Sequence, residues 1–315
     1  MAISSLVTTF LGPDILPYFD DPDIVEIYTN KGYYWAESFE KGRYNTGIPI
    51  ADHTIVDVIK AVSGEVGLVI DSYLQANYQP LNCRFQGQFD KSITDEPTFV
   101  FRKRAKKIIT IQEYLDQGRL SHTQYEFLIQ AILDRKNIVI AGGTGSGKTT
   151  FAQAVLLEIT RLCPHHRLGI LEDTPEIQVR SNDSFFLHTF DGNKLQDEIT
   201  MRDLLKVSLR MSPDRIVIGE VRDASALDVM KAWNTGHNGG ICTVHATSPE
   251  LTLDRLEELI IEEYQSGSFK KLIGNSVDIV VFLDKIGEIN RSIQSIISVH
   301  GYDEKEREYR IVEEV

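Results

Sequence analysis

The stretch that most constrains this chain of 315 residues is Gly-Gly-Thr-Gly-Ser-Gly-Lys-Thr-Thr at positions 142–150. The apolar run 138–141 precedes it, and the helix-compatible run 151–159 follows it. Strand, loop and helix in this order are the setting in which the pattern G-x-x-x-x-G-K-[ST] binds phosphate, so we predict a phosphate-binding loop. The residues that satisfy the pattern are Gly142, Gly147, Lys148 and Thr149.

Each residue type in this loop has a physical role. Glycines remove the Cβ atoms that would keep backbone N–H groups away from a phosphate. The helix that starts near Gly147 directs its free N–H groups and its positive dipole end toward the same place. Lys148 reaches the β- and γ-phosphates, and the Thr149 hydroxyl is a ligand for Mg²⁺. The predicted nucleotide-binding residues of the loop are Gly142, Gly143, Thr144, Gly145, Ser146, Gly147, Lys148, Thr149 and Thr150.

Composition narrows the class of protein. The net charge of −13 argues against broad electrostatic capture of DNA or RNA. No apolar run approaches the length of a membrane span, and residues 1–10 lack the basic start of a signal peptide. Cys83, Cys163 and Cys242 lie far apart and lack metal-type spacing. We therefore expect a cytoplasmic protein with reduced thiols and no stable membrane span of its own.

The first hundred residues are predicted to form a mixed α/β unit. Alternation of β-branched and aromatic residues predicts a strand pair, and apolar residues at helical spacing predict a helix. We find no recognisable chemistry in this half, so a packing or partner-binding domain is the simplest interpretation. The expected elements are the strand pair at 24–34, the helix at 54–66 and strands at 73–78, 83–88 and 98–102.

A basic cluster at 102–107 marks a junction between two predicted domains. Two interpretations stay open for it: a solvated linker, or a junction that bends over the phosphate site and lends Arg102 to the nucleotide. We predict a smaller α+β N-terminal domain at 1–105, which faces a partner or substrate and contributes to the nucleotide site. A linker at 106–120 and a larger domain at 121–315 follow.

From residue 137 onward, apolar strands alternate with helices, which is typical of a mostly parallel sheet with helices on both faces. The fold class predicted for this part is therefore α/β. The expected strands are 137–141, 168–171, 215–218, 241–244, 279–283 and 293–299, and the expected helices are 111–116, 121–134, 148–162, 199–211, 223–235 and 249–264.

A chemical group follows each of four predicted parallel strands. Ligands bind beyond the carboxyl ends of the strands in an open parallel sheet, so we expect these groups to converge. The first strand ends in the phosphate loop, and the others end in Glu172-Asp173, Gly219-Glu220 and His245. A single acid after a strand is weak evidence because helix N-caps are often Asp. Capping alone does not explain all four groups.

Roles can be assigned to these groups as hypotheses. Glu220 is the candidate to orient and polarise an attacking water; the alternatives are an indirect contact to Mg²⁺ and a structural pair with Arg222. Glu172 and Asp173 are candidates for Mg²⁺ through water or for a share of the base role, with a structural role as the alternative for each. The division of roles between them stays open. His245 is a candidate to sense the γ-phosphate, with a strand-end histidine bonded to a backbone carbonyl as the alternative.

Phosphoryl transfer often needs an arginine, sometimes from a neighbouring subunit, which contributes ~10³–10⁵ in rate. Arg210, which ends a predicted helix before 212–214, is the best candidate, and Arg102 and Arg222 follow. A phosphate site without an evident arginine of its own suggests that a subunit interface completes it. Head-to-tail interfaces of this kind close into rings.

Four segments together resemble the secretion traffic ATPases of type II secretion, type IV secretion and type IV pili. They match that family's Walker A, acidic box, Walker B and histidine box in order, and they most resemble the conjugal-transfer ATPases of the type IV branch. The resemblance is strong from about residue 100 to 265. The segments are 141–150, 171–176, 208–223 and 236–247.

The resemblance implies a RecA-like P-loop NTPase motor domain that binds ATP and Mg²⁺ between itself and the N-terminal domain, with Arg102 at the nucleotide. It also implies a homohexameric ring, peripherally associated with the cytoplasmic face of the inner membrane. Implied partners are secretion or conjugation channel proteins and a protein or nucleoprotein substrate. The implied function is ATP hydrolysis that powers conjugative transfer or type IV secretion, through pilus assembly or substrate translocation.

Two other functions stay open from the residues alone. A RecA-like DNA-translocating ATPase would need a basic central groove, which the net charge disfavours. A nucleotide-dependent interaction switch would bind ATP but show little turnover. Replacement of Glu220 separates this switch from an enzyme, because only the enzyme depends on a group that activates water.

Overall fold

The computed structural model describes residues 5–38, 41–104, 108–179, 181–190, 198–264, 267–286 and 290–314. The chain divides into two compact units, Met1–Lys107 and Ile108–Val315. Among the helices of the described residues, none combines the length and apolar character needed to cross a bilayer.

The first unit is a six-stranded antiparallel sheet combined with three helices. Every second residue is buried in four of its strands, and these side chains form one core with the apolar sides of the helices. Its elements are α1 (Leu6–Leu11), α2 (Leu16–Asp20), β1 (Ile24–Asn30), β2 (Tyr33–Ser38), β3 (Gly42–Pro49), α3 (Asp52–Val66), β4 (Tyr73–Tyr78), β5 (Cys83–Gln88) and β6 (Thr98–Lys103), with a 3₁₀ turn at Gln79–Leu81. The strand order is β3-β2-β1-β6-β5-β4.

The basic cluster at the end of β6 is not a uniform solvated run. Lys103 is buried, and its Nζ donates hydrogen bonds to the carbonyl oxygens of Tyr18, at 2.9 Å, and Asp21. These bonds tie β6 to the end of α2, so Lys103 has a structural role in the first unit. Lys106 and Lys107 of the same cluster lie outside the described residues.

The second unit contains the remaining helices and strands. They are α4 (Ile111–Asp116), α5 (His122–Leu133), β7 (Ile138–Gly142), α6 (Lys148–Leu162), β8 (Leu168–Glu172), β9 (Ser184–His188), α7 (Met201–Ser208), a 3₁₀ turn at Leu209–Met211, β10 (Arg215–Val221), α8 (Ser225–Asn234), β11 (Ile241–His245), α9 (Leu251–Ile261), α10 (Lys270–Ser276), β12 (Ile279–Ile286), β13 (Asn290–Asp303) and β14 (Glu308–Glu313).

These strands form one eight-stranded sheet in the order β14-β13-β12-β7-β11-β10-β8-β9. Neighbouring strands from β12 to β9 are parallel, and β13 and β14 are antiparallel additions at one edge. Alternate residues of β7 face different cores: Val139 packs with α7–α10, whereas Ile140 packs with α4–α6. The predicted α/β class, with a mostly parallel sheet covered on both faces, is therefore observed.

Residues 108–120, which fall in the predicted linker at 106–120, pack within the second unit. The Thr110 side chain accepts a hydrogen bond from the backbone amide three residues on, at 3.1 Å, and so caps α4. Ile111 and Tyr114 are buried in the α6 core, and the Tyr114 ring meets Phe151 edge-on with centroids 5.1 Å apart. Their burial makes this segment part of the unit rather than a connection to it.

Candidate active site

The glycine-rich loop connects β7 to α6 at the carboxyl edge of the parallel strands. Gly142 has φ 152°, and a Cβ there would overlap the carbonyl oxygen of Leu283 and lie 2.7 Å from Ser146 Oγ. Gly147 has φ 92° and stands directly before α6. Sterics at the first glycine and the left-handed backbone at the second explain why the loop needs this residue type.

The other predicted loop residues differ in exposure. Gly143, Thr144 and Gly145 are exposed, whereas Thr149 and Thr150 are half-buried in the first turn of α6. Ser146 Oγ is buried and has no hydrogen-bond partner among the described residues. An unpaired buried hydroxyl is costly, and a ligand oxygen in the loop is the kind of partner that would satisfy it.

Lys148 opens α6 with a side chain that is only 6% exposed. Its Nζ donates hydrogen bonds to the carbonyl oxygens of Gly142 and Gly143, both at 3.0 Å. Burial lowers the pKa of Lys148 to about 8, although the nearby Glu220 carboxylate acts in the opposite direction. A polyphosphate oxygen would be a stronger acceptor for this ammonium than the neutral carbonyls that hold it.

His245 ends β11, and its register places it beside Gly142. Its Nδ1 lies 3.1 Å from Lys148 Nζ, and its Nε2 lies 3.3 Å from Glu220 Oε1. Because an ammonium can only donate, Nδ1 accepts, and the ring proton sits on Nε2, which donates to the carboxylate. Burial, followed by the charge of Lys148, lowers the pKa of His245, so the ring is neutral at pH 7.

Arg222 joins the carboxylate of Glu220, near the end of β10, to that of Asp173, which follows β8. Its Nη2 donates to Glu220 Oε2 at 2.8 Å, and its Nη1 lies 3.8 Å from Asp173 Oδ2. Burial opposes the charge on Glu220, but Arg222, His245 and Lys148 outweigh it and hold the pKa of Glu220 below its ordinary value. Burial raises the pKa of Asp173 even though Arg222 is close. The geometry thus brings five predicted residues into one chain of contacts from the loop to β8.

Glu172 is close by in sequence but engaged differently. It ends β8 and is 2% exposed. Its Oε1 accepts hydrogen bonds from the backbone amides of Glu176 and Ile177, both at 2.9 Å. A Cβ at Gly219 would lie 3.0 Å from Glu172 Cγ, so the glycine makes room for this side chain. The carboxylate therefore holds the loop that carries Asp173, and Thr189 also donates to Asp173 Oδ1, at 3.2 Å.

A β-bulge orients Glu220. The pairing of β10 with β11 shifts register between Ile218 and Val221, so the strand carries one extra residue at this point. The Thr243 hydroxyl donates to the carbonyl oxygen of Gly219 at 2.7 Å within the bulge. Bulges redirect side chains next to functional sites, and here the side chain of Glu220 reaches His245 of the neighbouring strand.

Two predicted arginines do not join this group. Arg210 is exposed in the 3₁₀ turn before β10, at the amino edge of the sheet, whereas the loop lies at the carboxyl edge. Arg102 is exposed on β6 of the first unit, with its Nε 3.8 Å from Glu26 Oε1. Of the three candidate arginines, only Arg222 therefore contacts the other predicted site residues of the second unit.

Arg291, at the start of β13, was not singled out from the sequence. Its Cδ lies 3.2 Å from the position of a Cβ on Gly147, so its side chain packs over the residue that precedes α6. Arg291 and Arg119 both face Tyr114: burial raises the pKa of Tyr114 to about 12, and the two arginines oppose this effect. No motif marks Arg291, because its position depends on the antiparallel pairing of β13 with β12.

Only the end of the segment 236–247 reaches the site, and the residues around Gly239 make structural contacts instead. Asn137 Oδ1 accepts hydrogen bonds from the amides of Gly239, at 2.8 Å, and Gly240, at 3.1 Å. The buried guanidinium of Arg215 donates to the Gly239 carbonyl oxygen at 3.1 Å. These contacts fix the start of β11 at the amino edge of the sheet, and only the end of the segment, at His245, enters the site.

The residues also fit the chemistry of Mg²⁺. Across the described ranges, no group of three or more His, Cys, Asp or Glu side chains is arranged to hold a metal ion. Mg²⁺ in nucleotide sites keeps several waters and takes one or two protein oxygens together with phosphate oxygens. The half-buried Thr149 hydroxyl and Asp173 carboxylate are ligands of that type.

The second unit is an α/β fold with a glycine-lysine loop at the carboxyl edge of its parallel strands. At that edge the side chains of Lys148, His245, Glu220 and Arg222 contact one another in series. The chain belongs to the family described as Type II/IV secretion system protein, which matches residues 92–308. The resemblance to secretion ATPases inferred from the four sequence segments is thereby confirmed.

Individual relatives agree with this membership. The chain is 36% identical over 301 residues to conjugal transfer protein TrbB of Rhizobium radiobacter, which covers 93% of this chain and 88% of that protein. It is 32% identical over 197 residues to type IV secretion system protein VirB11 of Bartonella quintana, which covers 61% of this chain and 54% of that protein.

Solved structures share the fold. The Legionella pneumophila ATPase DotB has a TM-score of 0.62 at 18% identity, and the match covers 98% of this chain and 84% of DotB. The pilus retraction motor PilT, solved with bound ADP, has a TM-score of 0.61 at 17% identity, and the match covers 87% of this chain and 79% of PilT.

Proposed function

We propose that this chain is an ATPase that powers conjugative transfer or type IV secretion. The observation that carries the proposal is the chain of contacts from Lys148 through His245 and Glu220 to Arg222. It joins a phosphate-loop lysine to an ionised carboxylate, which are the two groups that hydrolysis of a bound triphosphate needs. Similarity to TrbB, a conjugal transfer protein, supports the role in conjugative transfer. The fold shared with DotB, an ATPase, agrees with the ATPase activity.

Each residue then has a role toward ATP. The loop amides and Lys148 bind the β- and γ-phosphates, and the ammonium leaves the carbonyl oxygens that hold it in the structure. Glu220 orients the attacking water and accepts its proton, since its low pKa keeps it ionised. His245 senses the γ-phosphate, and Glu172 positions the loop of Asp173. Bound Mg²⁺ supplies charge neutralisation at the phosphates, held by Thr149 and, through water, Asp173.

The proposed motor is a RecA-like domain that works in a homohexameric ring. Arg210 lies at the amino edge of its own sheet, away from its own loop, so we assign it to the site of a neighbouring subunit. Arg102 is assigned to the nucleotide from the N-terminal domain. The ring is proposed to act at the cytoplasmic face of the inner membrane with channel proteins as partners, moving a protein or nucleoprotein or assembling a pilus.

Phosphate release by purified protein tests the proposal. With ATP and Mg²⁺, Glu220→Gln is expected to lower kcat by about 10²–10⁴, the range for loss of a general base. Glu258→Gln, on the exposed side of α9, removes the same charge elsewhere and serves as the matched control. If Glu220→Gln hydrolyses ATP at the same rate as wild type, the result would favour a nucleotide-dependent switch over an enzyme.

A further inference from the structure

Different chemistry flanks the two sides of the loop. β11 and β12 lie on opposite sides of β7, and Gly142 is in register with His245 on one side and Leu283 on the other. The β11 side carries the His245–Glu220 contact. The β12 side carries the β12–β13 pair, in which Arg291 lies opposite Lys285.

We propose that Arg291 is a nucleotide-binding residue that contacts the α-phosphate, at the nucleoside end of the polyphosphate. The inference rests on the proposed function, since it assumes that a nucleoside polyphosphate occupies the loop. It adds a residue, and a side of the site, that neither the loop motif nor the strand-end groups include.

The position of the side chain supports this assignment. Arg291 packs with its Cδ 3.2 Å from the Cβ position of Gly147, the last loop residue before α6. Gly147 and the first turn of α6 carry the amides that grip phosphate in loops of this kind. A guanidinium that extends from this point can add a charge-assisted hydrogen bond to the same phosphate chain.

The direction of the nucleotide follows from the chemistry on the other side. Water must attack the γ-phosphate next to Glu220, so the triphosphate has its γ end toward β10 and β11 and its nucleoside end toward β12 and β13. The backbone of Arg119 lies on the same side, since its carbonyl oxygen accepts the amide of Ile293 at 3.0 Å. The charges of Arg119 and Arg291 both oppose the rise in the pKa of Tyr114 that burial causes.

A contact at this end has a distinct kinetic signature. The α-phosphate is present in ADP and ATP and does not change during hydrolysis, so the contact is equal in the ground state and the transition state. Loss of such uniform binding raises KM and the dissociation constants without lowering kcat in proportion. Loss of Glu220, in contrast, is expected to lower kcat and to leave the dissociation constants nearly unchanged.

The test measures the dissociation constants of ADP and of a slowly hydrolysed ATP analogue, with Mg²⁺, for wild type and three variants. Arg291→Gln is expected to raise both constants about tenfold and KM by the same factor, with kcat within about twofold. Arg291→Lys keeps the charge but not the planar fork, so a rise of about two- to threefold is expected. Arg310→Gln, an exposed arginine of β14, is the matched control and is expected to bind as wild type.

Unchanged constants for Arg291→Gln, or loss of the ATP analogue alone with ADP binding intact, would overturn the inference while the proposed function stands. If wild type binds neither nucleotide, the proposed function fails and this inference fails with it. Melting curves establish folding of each variant. If Arg291→Gln does not fold, Arg291→Lys decides, and wild-type constants for that variant contradict the proposal.

Discussion

Nζ of Lys148 lies 3.1 Å from Nδ1 of His245, so the cation that opens α6 and the histidine that ends β11 are in direct contact. The same imidazole reaches Glu220 at 3.3 Å. A ligand that draws the ammonium toward a phosphate must break the first contact and leave His245 with Glu220 alone. The contact therefore links phosphate binding to the group that we assign to the attacking water.

Proton uptake on binding is the first prediction. The pKa of Lys148 is lowered to about 8 in the free protein, and a bound polyphosphate raises it by its negative charge. Binding therefore takes up protons above pH 8 and little below pH 7. We expect an uptake of roughly three quarters of a proton at pH 8.5 and about a tenth at pH 7.

Calorimetric titration with ADP in two buffers of different ionisation enthalpy measures this uptake. At pH 8.5 the phosphates of ADP are fully ionised, so Lys148 is the main source of uptake there. At pH 7 a fraction of the terminal phosphate is still protonated, and its release on binding lowers the net uptake further and widens the difference. Equal uptake at the two values, or proton release at pH 8.5, would show that the ammonium is not desolvated as described.

Arg222→Gln is predicted to move the acid limb of the ATPase pH profile. Without the guanidinium 2.8 Å away, burial of Glu220 is less compensated and its pKa rises. Because the water-activating carboxylate must be ionised, activity should be lost at a higher pH than in wild type. We expect the midpoint of the acid limb of the kcat–pH profile to move to higher pH by about one pH unit.

The control for this profile is Arg161→Gln. Arg161 pairs with Glu158 at the other end of α6 and has a 62% exposed side chain, so its replacement changes the net charge equally. An acid limb that stays in place for Arg222→Gln would mean that Glu220 does not govern it.

Glu172 is predicted to contribute mainly to stability. Its carboxylate accepts the amides of Glu176 and Ile177, and Glu172→Ala leaves the buried Ile177 amide without this partner. We expect Glu172→Ala to lower the free energy of unfolding by about 2–4 kcal/mol. Glu172→Gln keeps an oxygen acceptor, and a loss of about 1 kcal/mol is expected. Urea unfolding measures both, and equal losses would mean that the negative charge, not the acceptor, matters.

Gly142→Ala is predicted to be far more damaging than Gly143→Ala. A Cβ at Gly142 would overlap the backbone oxygen of Leu283, which cannot move without shifting β12. The expected loss in the free energy of unfolding is about 2–4 kcal/mol. A Cβ at Gly143 meets nothing within 4 Å, so that variant should lose less than about 1 kcal/mol. Thermal unfolding that ranks the two variants in the opposite order would contradict the described loop geometry.

The strand-end logic predicted most of the site from the sequence. Lys148, Glu220 and His245 each follow or end a parallel strand, and parallel strands bring such positions to one edge. The sequence did not divide the roles of Glu172 and Asp173. In the structure, two backbone amides donate to Glu172 in a turn whose conformation no local pattern encodes, whereas Asp173 lies near Arg222.

The strands missed by pattern, β3, β9 and β14, are edge strands, and the short helices α1, α2 and α10 were missed as well. β9 has an apolar run of only three residues, 185–187, and Phe186 within it is 41% exposed because β9 is the outermost strand. β14 is largely exposed at the opposite edge. Edge strands lack one neighbour, so their sequences carry a weaker burial signal. Arg291 was missed for the related reason that antiparallel pairing at this edge, not a motif, brings it to the loop.

The central claim is that the loop at Lys148 binds a nucleoside triphosphate, and equilibrium titration with a slowly hydrolysed ATP analogue and Mg²⁺ tests it most directly. We expect micromolar affinity for wild type and a loss of about 100-fold or more for Lys148→Ala, with far-ultraviolet circular dichroism unchanged. Equal affinity of the two proteins, or no binding by wild type, would contradict the account.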